Sequence, residues 1–178
     1  MQQVAITSPL LLRCIKECCE DVSNMGLKVP SHIDWYSMNS IRRAGQANSQ
    51  RNVIRLSTYI VNDTEKQIKS TIYHELAHLI VGCQEGHGYK WKKTAQIITG
   101  YTGIPITRCY NMTDRGGMRA AYKSQVKYVF RCKDCGLIVE RTKKTKFVRE
   151  YNQLTSSGKP IWRCAKCGGQ FELIKGGE

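Results

Sequence analysis

The chain has 178 residues, 41% of them hydrophobic and 24% charged, and its formal net charge at pH 7 is +14. These fractions exclude a wholly disordered chain, and no apolar run reaches the roughly 18 residues that span a bilayer, so we expect no membrane partner. The basic excess favours a polyanionic partner, most often nucleic acid, although a basic surface without any dedicated partner would carry the same charge.

The amino terminus and the nine cysteines indicate the compartment. The first residues, MQQVAITSPLLLRC, include no basic segment and only a short apolar run, so they are not a secretory signal. Cysteines in a chain without an export signal are expected to bind metal or to be buried rather than to form disulfides. The sequence therefore predicts an intracellular monomer, cytoplasmic or associated with the nucleoid or nucleus, and not a secreted protein.

The first 115 residues alternate between helical and strand patterns. Helical periodicity begins at residues 9–24 and resumes near Asn62, where Glu65 completes a capping box. A third helix is predicted over residues 89–101, YKWKKTAQIITGY. Two strands are predicted between the first two helices, with the sequences IDWYSM and NVIRLSTYI. Residues 1–115 are therefore predicted to form an α+β domain with a small antiparallel sheet.

The remainder of the chain is more basic and less regular. Residues 116–178 carry 14 of the 28 basic side chains but only 5 of the 14 acidic ones. Residues 116–126 have no clear periodicity and are predicted to be a linker or mobile loop. In residues 127–178 short strands surround two cysteine pairs, which predicts a small β module.

A segment with three of the four histidines, HELAHLIVGCQEGHG at residues 74–88, predicts a metal site. Residues four apart share one face of a helix, so His74 and His78 can offer imidazole nitrogens to a single ion. Glu75 lies one step round the helix and can reach a water beside that ion without ligating it. A chance motif with solvent-facing histidines is the alternative, and the apolar residues at the other helical positions argue against it.

The third ligand has two candidates, Glu85 and His87. On a straight helix Glu85 would lie about 10 Å further along the axis than His78, too far for the same ion. Gly86 and Gly88 allow the backbone to reverse after the helix, so His87 is the better candidate.

Four further cysteines form two C-x-x-C-G pairs, Cys132 with Cys135 and Cys164 with Cys167. Two such pairs are typical of a structural zinc ion held by four thiolates, and the glycine after each pair lets the backbone curl around the sulfurs. A redox motif would need a βαβ context that is missing here. The spacer of 28 residues includes LIVERTKKTKFV, which predicts a strand pair in an extended hairpin.

Basic and aromatic side chains are interleaved around these cysteines. Cations that follow phosphates, beside rings that stack on bases, suit single-stranded nucleic acid. In so small a module some aromatic residues must instead form the core. The predicted nucleic-acid contacts are Arg141, Lys143, Lys144, Lys146 and Trp162.

These motifs resemble the SprT-like family, whose eukaryotic relative is the Spartan protease. The resemblance rests on SIRRAG and VIRLS, on HELAH followed by HGYKWK, and on YVFRCKDCG with IWRCAKCGG. It implies a zincin-like domain followed by a zinc ribbon, in a DNA-associated metalloprotease that degrades proteins trapped on DNA. The implied cofactors are one catalytic zinc, held by His74, His78 and His87, and one structural zinc. The implied catalytic base is Glu75.

Two other functions fit the same sequence. A nucleic-acid-binding adaptor would use both zinc sites structurally, but such a site has no use for Glu75. A general intracellular protease would be active without residues 127–178. The residue that assists the metal in stabilising the oxyanion is left open among Tyr89, Tyr101, Tyr110 and Arg108.

Overall fold

The computed structural model describes residues 4–109 and 115–176, with mixed helices and small sheets. By its contacts the chain divides into two compact units, Met1–Ala121 (unit 1) and Tyr122–Glu178 (unit 2). None of the described helices combines the length and the apolarity needed to cross a bilayer.

Unit 1 contains a four-stranded sheet with the strand order β1-β2-β4-β3. The outer pairs, β1 with β2 and β3 with β4, are antiparallel, but β2 and β4 are parallel, so the prediction of an antiparallel sheet is wrong. The reason is that the chain passes from β2 to the outer edge and returns through a β3–β4 hairpin. The four strands are Val4–Ala5, Asp34–Met38, Gly45–Asn48 and Val53–Ser57.

Three helices pack against this sheet in the core of unit 1. The first, α1 (Pro9–Asn24), has the predicted bounds, and Ser8 caps it by accepting a hydrogen bond from the Leu11 amide. The others are α2 (Glu65–Val81) and α3 (Tyr89–Thr102). Apolar residues of α1, β4, α2 and α3 share one buried cluster, which fixes α2 against the sheet.

The start of α2 differs from the prediction. A 3-10 helix over Thr58–Asn62 comes first, and the capping residue is Thr64. Thr64 Oγ1 accepts from the Gln67 amide at 3.3 Å, and Gln67 Oε1 accepts from the Thr64 amide at 3.0 Å. The predicted capping box from Asn62 to Glu65 is therefore wrong in its residues, since the box runs from Thr64 to Gln67.

We expect Thr64→Ala to lower the free energy of unfolding of unit 1 by about 1 kcal/mol, because the Gln67 amide loses its side-chain acceptor. Urea denaturation followed by far-UV circular dichroism measures the loss. The exposed Lys66, two residues on, is a matched control, and Lys66→Ala should change the same free energy by less than about 0.5 kcal/mol. Equal losses in the two variants would contradict the capping role.

A helix, α4 (Gly116–Ser124), occupies most of the predicted linker, so the prediction of a loop over 116–126 is wrong there. Its start is fixed by Asp63, which accepts from Arg115 Nη1 at 3.2 Å and from the Gly117 amide at 3.1 Å. Both ionic side chains are almost fully buried. Met118 of α4 is fully buried in the core of unit 1, and this burial together with the contacts of Asp63 stabilises the helix.

Unit 2 is built on a three-stranded antiparallel sheet with the order β6-β5-β7. A short helix, α5 (Lys146–Glu150), follows β6, so the predicted strand pair in LIVERTKKTKFV is wrong in its second half. Thr145 caps α5, and the third strand comes from far along the chain instead. The strands are β5 (Tyr128–Cys132), β6 (Ile138–Arg141) and β7 (Phe171–Lys175). The buried core consists of Phe130, Cys132, Phe147, Val148, Cys164 and Phe171.

Candidate metal centres

Three histidines of unit 1 converge on one point. His74 and His78 lie one turn apart on α2, and the chain then reverses at Gly82 and Gly86, both with positive φ. This reversal brings His87 Nε2 to 3.1 Å from His74 Nε2 and 3.2 Å from His78 Nε2. The sequence pattern is therefore realised in space as a cluster of three imidazoles that could hold a metal ion.

The nitrogen atoms of this cluster suit zinc. Zn–N bonds of about 2.0–2.1 Å give a tetrahedral edge of roughly 3.3 Å, close to the two distances measured. Burial, reinforced by the neighbouring imidazoles, lowers the pKa of His74 and of His78 to about 4, so both rings are neutral at pH 7. His74 Nδ1 donates to the Thr107 carbonyl at 3.0 Å, which leaves the lone pair on Nε2 facing the cluster.

Trp91 on α3 packs against all three imidazoles. Its ring centroid lies 4.8 Å from that of His74, 5.6 Å from His78 and 4.5 Å from His87. Only 2% of the residue is exposed. Trp91 therefore restricts the orientation of the three rings. Sequence reasoning assigned it no role, although it lies in the HGYKWK motif.

Glu75 is buried between α2 and the edge strand β3. The Ala47 amide donates to its carboxylate, and a Cβ added to Gly45 would lie 2.6 Å from Glu75 Cγ. Burial raises the pKa of Glu75 to about 7, while the Ala47 amide opposes this shift. A cation held by the histidines would offset part of the burial effect. The carboxyl group of Glu75 therefore lies beside the histidine cluster, and contacts with the backbone of β3 fix its position.

The competing third ligand, Glu85, has a different partner. Its Oε1 accepts a hydrogen bond from the Lys90 amide at 3.1 Å, in the first turn of α3. A carboxylate at a helix N-terminus satisfies an amide that the helix leaves unpaired. Glu85 therefore serves the helix start, and among the described residues of unit 1 the group that could hold a metal ion consists of His74, His78 and His87.

A cleft of about 330 Å³ opens beside His74 and Glu75, and arginines line much of it. Arg108, one of the candidates for stabilising the oxyanion, is on this lining. Tyr89 and Tyr101 are exposed elsewhere on α3, and Tyr110 lies outside the described residues. Sequence reasoning gave no role to the other three arginines of the cleft, Arg42, Arg43 and Arg115. Arg42 and Arg43 belong to the SIRRAG motif.

The cysteines of unit 2 form a second cluster. Cys132 Sγ lies 3.5 Å from Cys167 Sγ, and Cys135 Sγ lies 3.6 Å from Cys164 Sγ. Zn–S bonds of about 2.3 Å give a tetrahedral edge of roughly 3.8 Å, so these distances suit four thiolates around zinc. Burial opposes ionisation of Cys164, but backbone amides and the facing thiols outweigh it and lower its pKa to about 7.

Each cysteine pair lies in a tight turn that its following glycine closes. The Gly136 amide donates to the Cys132 carbonyl at 3.0 Å, and the Gly168 amide donates to the Cys164 carbonyl at 2.8 Å. Both glycines have positive φ, +71° and +79°. This is the backbone curl that the C-x-x-C-G spacing predicts.

The predicted nucleic-acid contacts fall into two groups. Lys143, Lys144 and Lys146 are exposed next to one another at the start of α5. Arg141, on β6, instead places its guanidinium 5.2 Å from the centre of the Phe147 ring. The lysines therefore form a basic surface of unit 2, whereas Arg141 already has a partner in its core.

Trp162 also has contacts within unit 2. Its ring packs edge-on against Phe147, with centroids 5.7 Å apart, and its Nε1 donates to Glu150 Oε2 at 3.4 Å. Phe130 and Phe171 complete this aromatic core. Most of the interleaved aromatic residues thus serve the core, and the base-stacking role of Trp162 stays a prediction.

Comparison with known proteins adds independent support to the motif assignment. The model of the SprT-like family matches residues 15–110, which include all three clustered histidines and Glu75. Proteins named "Protein SprT" from Shigella flexneri serotype 5b (strain 8401), Escherichia coli O157:H7 and Escherichia coli (strain K12 / DH10B) are each 24% identical to the chain over 173 residues. The match covers 94% of this chain and 94% of each relative. No solved structure matches the chain.

Proposed function

The chain belongs to the SprT-like family, and on that premise we propose that it is a zincin-like zinc metalloendopeptidase that hydrolyses proteins bound or crosslinked to DNA. One observation carries this proposal. Three neutral imidazoles converge so that one ion could bind to all of them, and the buried carboxyl group of Glu75, which is not among these donors, lies beside them. That combination suits hydrolysis, since a purely structural metal site does not need the carboxyl group.

His74, His78 and His87 would hold the catalytic zinc. When bound, zinc supplies Lewis-acid polarisation of the scissile carbonyl and increases the acidity of water. Glu75 takes a proton from the attacking water on a carboxylate oxygen and delivers it to the leaving amine nitrogen. The Ala47 amide donates to the carboxylate and keeps it oriented for both transfers.

Unit 2 would hold the structural zinc through Cys132, Cys135, Cys164 and Cys167 and would bind DNA. We propose single-stranded DNA, or duplex with single-stranded character, as its partner. The exposed Lys143, Lys144 and Lys146 support this role because they can follow a phosphate backbone. A protease tethered in this way meets DNA-bound proteins at a raised local concentration, which fits a role in the repair of DNA–protein crosslinks. No step requires a second copy of the chain, so we propose a monomer.

The test is proteolysis of a basic DNA-binding protein by the full, zinc-loaded chain, with and without a single-stranded oligonucleotide. Cleavage that needs the oligonucleotide supports the whole proposal. Cleavage that ignores it supports the peptidase but contradicts the tether. No cleavage by protein shown to hold two zinc ions would favour the rival function, a nucleic-acid-binding adaptor without catalysis.

The position of Glu75 gives a more local prediction. Gly45→Ala should lower kcat/KM by about 10²-fold, because the added Cβ would lie 2.6 Å from Glu75 Cγ and displace the carboxylate. Zinc content should be unchanged, since the three histidines are untouched. Gly100→Ala is the matched control, because a Cβ at that position in α3 meets nothing within 4 Å. Full activity in Gly45→Ala would show that β3 does not position the base.

A further inference from the structure

The cleft beside His74 and Glu75 has an unbalanced charge. Four arginines line it. Two precede β3, one follows α3 and one directly precedes α4. Among the described residues of its lining, Glu75 is the only carboxylate. The arginines are Arg42, Arg43, Arg108 and Arg115.

The charge of one arginine is largely compensated, but that of two others is not. Arg115 is buried against Asp63, with an Nη1–Oδ2 distance of 3.2 Å. Arg43 and Arg108 are exposed at the cleft, and neither forms an ion pair within the described part of the chain. Two uncompensated guanidinium groups therefore face the space next to the catalytic residues.

We propose that this cleft selects an acidic side chain of the substrate, an aspartate or glutamate close to the scissile bond, and that Arg43 and Arg108 determine this specificity. The inference rests on the proposed peptidase function. A guanidinium group matches a carboxylate in shape and can donate two parallel hydrogen bonds to it. A lysine or arginine of the substrate would instead be repelled from the same position.

An acidic peptide fits this cleft better than a nucleic acid does. His74 and Glu75 line it and act on a peptide bond, so a polypeptide must occupy it during turnover. Its volume, about 330 Å³, lies at the small end of the range for ligand pockets and accommodates a few side chains. The preference also agrees with substrates on DNA. Segments of such a protein that contact phosphates are basic and covered, whereas its acidic segments point away from the DNA and are accessible.

The test uses the full, zinc-loaded chain without DNA and a set of internally quenched peptides. The peptides differ only in one residue, Asp, Asn or Lys, placed in turn at three positions on either side of the scissile bond. We expect the kcat/KM of the Asp peptide to exceed that of the Asn peptide by about tenfold at one or more positions, with the Lys peptide slowest. The double variant Arg43→Glu, Arg108→Glu should reverse the order. The milder Arg43→Gln, Arg108→Gln should remove the preference without reversing it.

Arg51→Glu is the matched control, because Arg51 is exposed in the β3–β4 turn and does not line the cleft. It should keep the order of the parent chain, and zinc content confirms that every variant is folded. Equal cleavage of the three peptides, or fastest cleavage of the Lys peptide, would overturn the inference and leave the peptidase standing. If an oligonucleotide inhibits cleavage of the Asn peptide by the parent but not by the Gln variant, the cleft binds phosphate and the inference is wrong. Cleavage of none of the peptides by a chain that does cleave a DNA-bound protein would overturn the inference alone, and cleavage of neither substrate would overturn the proposed function together with it.

Discussion

A Glu75→Gln variant is expected to keep its fold and its zinc ions and to cleave proteins about 10²–10⁴-fold more slowly than the parent chain. The side-chain amide has the shape of the carboxyl group, and its Oε1 can still accept the hydrogen bond from Ala47. It cannot take a proton from water, so the step assigned to Glu75 is lost. Because Glu75 is not among the clustered metal donors, binding of zinc should not change.

The experiment compares single-turnover cleavage rates, zinc content and thermal unfolding of the parent and the variant. Glu85→Gln is the matched control, since Glu85 lies in the same segment and its carboxylate binds the Lys90 amide rather than facing the cluster. It should retain most of the activity. Two results would count against the role of Glu75: equal cleavage by the parent and Glu75→Gln, or loss of zinc from Glu75→Gln.

The features that could be predicted from the sequence are helices with a clear apolar periodicity and turns that contain glycine. The bounds of α1 are confirmed at Pro9–Asn24, because the capping residue Ser8 directly precedes the segment and an apolar stripe runs along it. The spacing of His74 and His78 is a property of any helix. Of the two glycines predicted to allow the reversal that returns His87, Gly86 has a positive φ but Gly88 does not, and Gly82 supplies the second positive φ. Local rules were therefore sufficient to group the three histidines, while their binding of zinc stays a prediction.

The parts that the sequence does not predict depend on contacts between distant segments. Strand β3 has the sequence GQAN, with no alternating apolar pattern, and it is a strand because it pairs with β4 at the sheet edge. The packing of Trp91 under the histidines and the start of α4 at Asp63 are likewise tertiary contacts. The contacts of Glu75 could not be predicted from the sequence, because the residues that surround its carboxyl group belong to β3.

Removing two of the clustered thiols, in Cys132→Ser with Cys164→Ser, is expected to unfold unit 2 and leave unit 1 folded. Both residues are buried, and together they are a third of the six-residue core of unit 2. A core this small cannot stabilise a fold by itself, whereas a structural zinc ion contributes about 10–16 kcal/mol in zinc-finger peptides. The core of unit 1 is a separate cluster and has no residue in common with that of unit 2.

The expected results are a fall from two zinc ions to one and rapid tryptic digestion of the lysine- and arginine-rich residues of unit 2. Cys109→Ser is the control, since its thiol is exposed and lies outside the four-cysteine cluster. A double variant that keeps two zinc ions and resists digestion would contradict the four-thiolate site.

The same variant distinguishes the proposed DNA tether from the proposed catalysis. If unit 2 is the tether, cleavage of a short peptide persists and stimulation by DNA is lost; if both are lost, catalysis itself depends on unit 2.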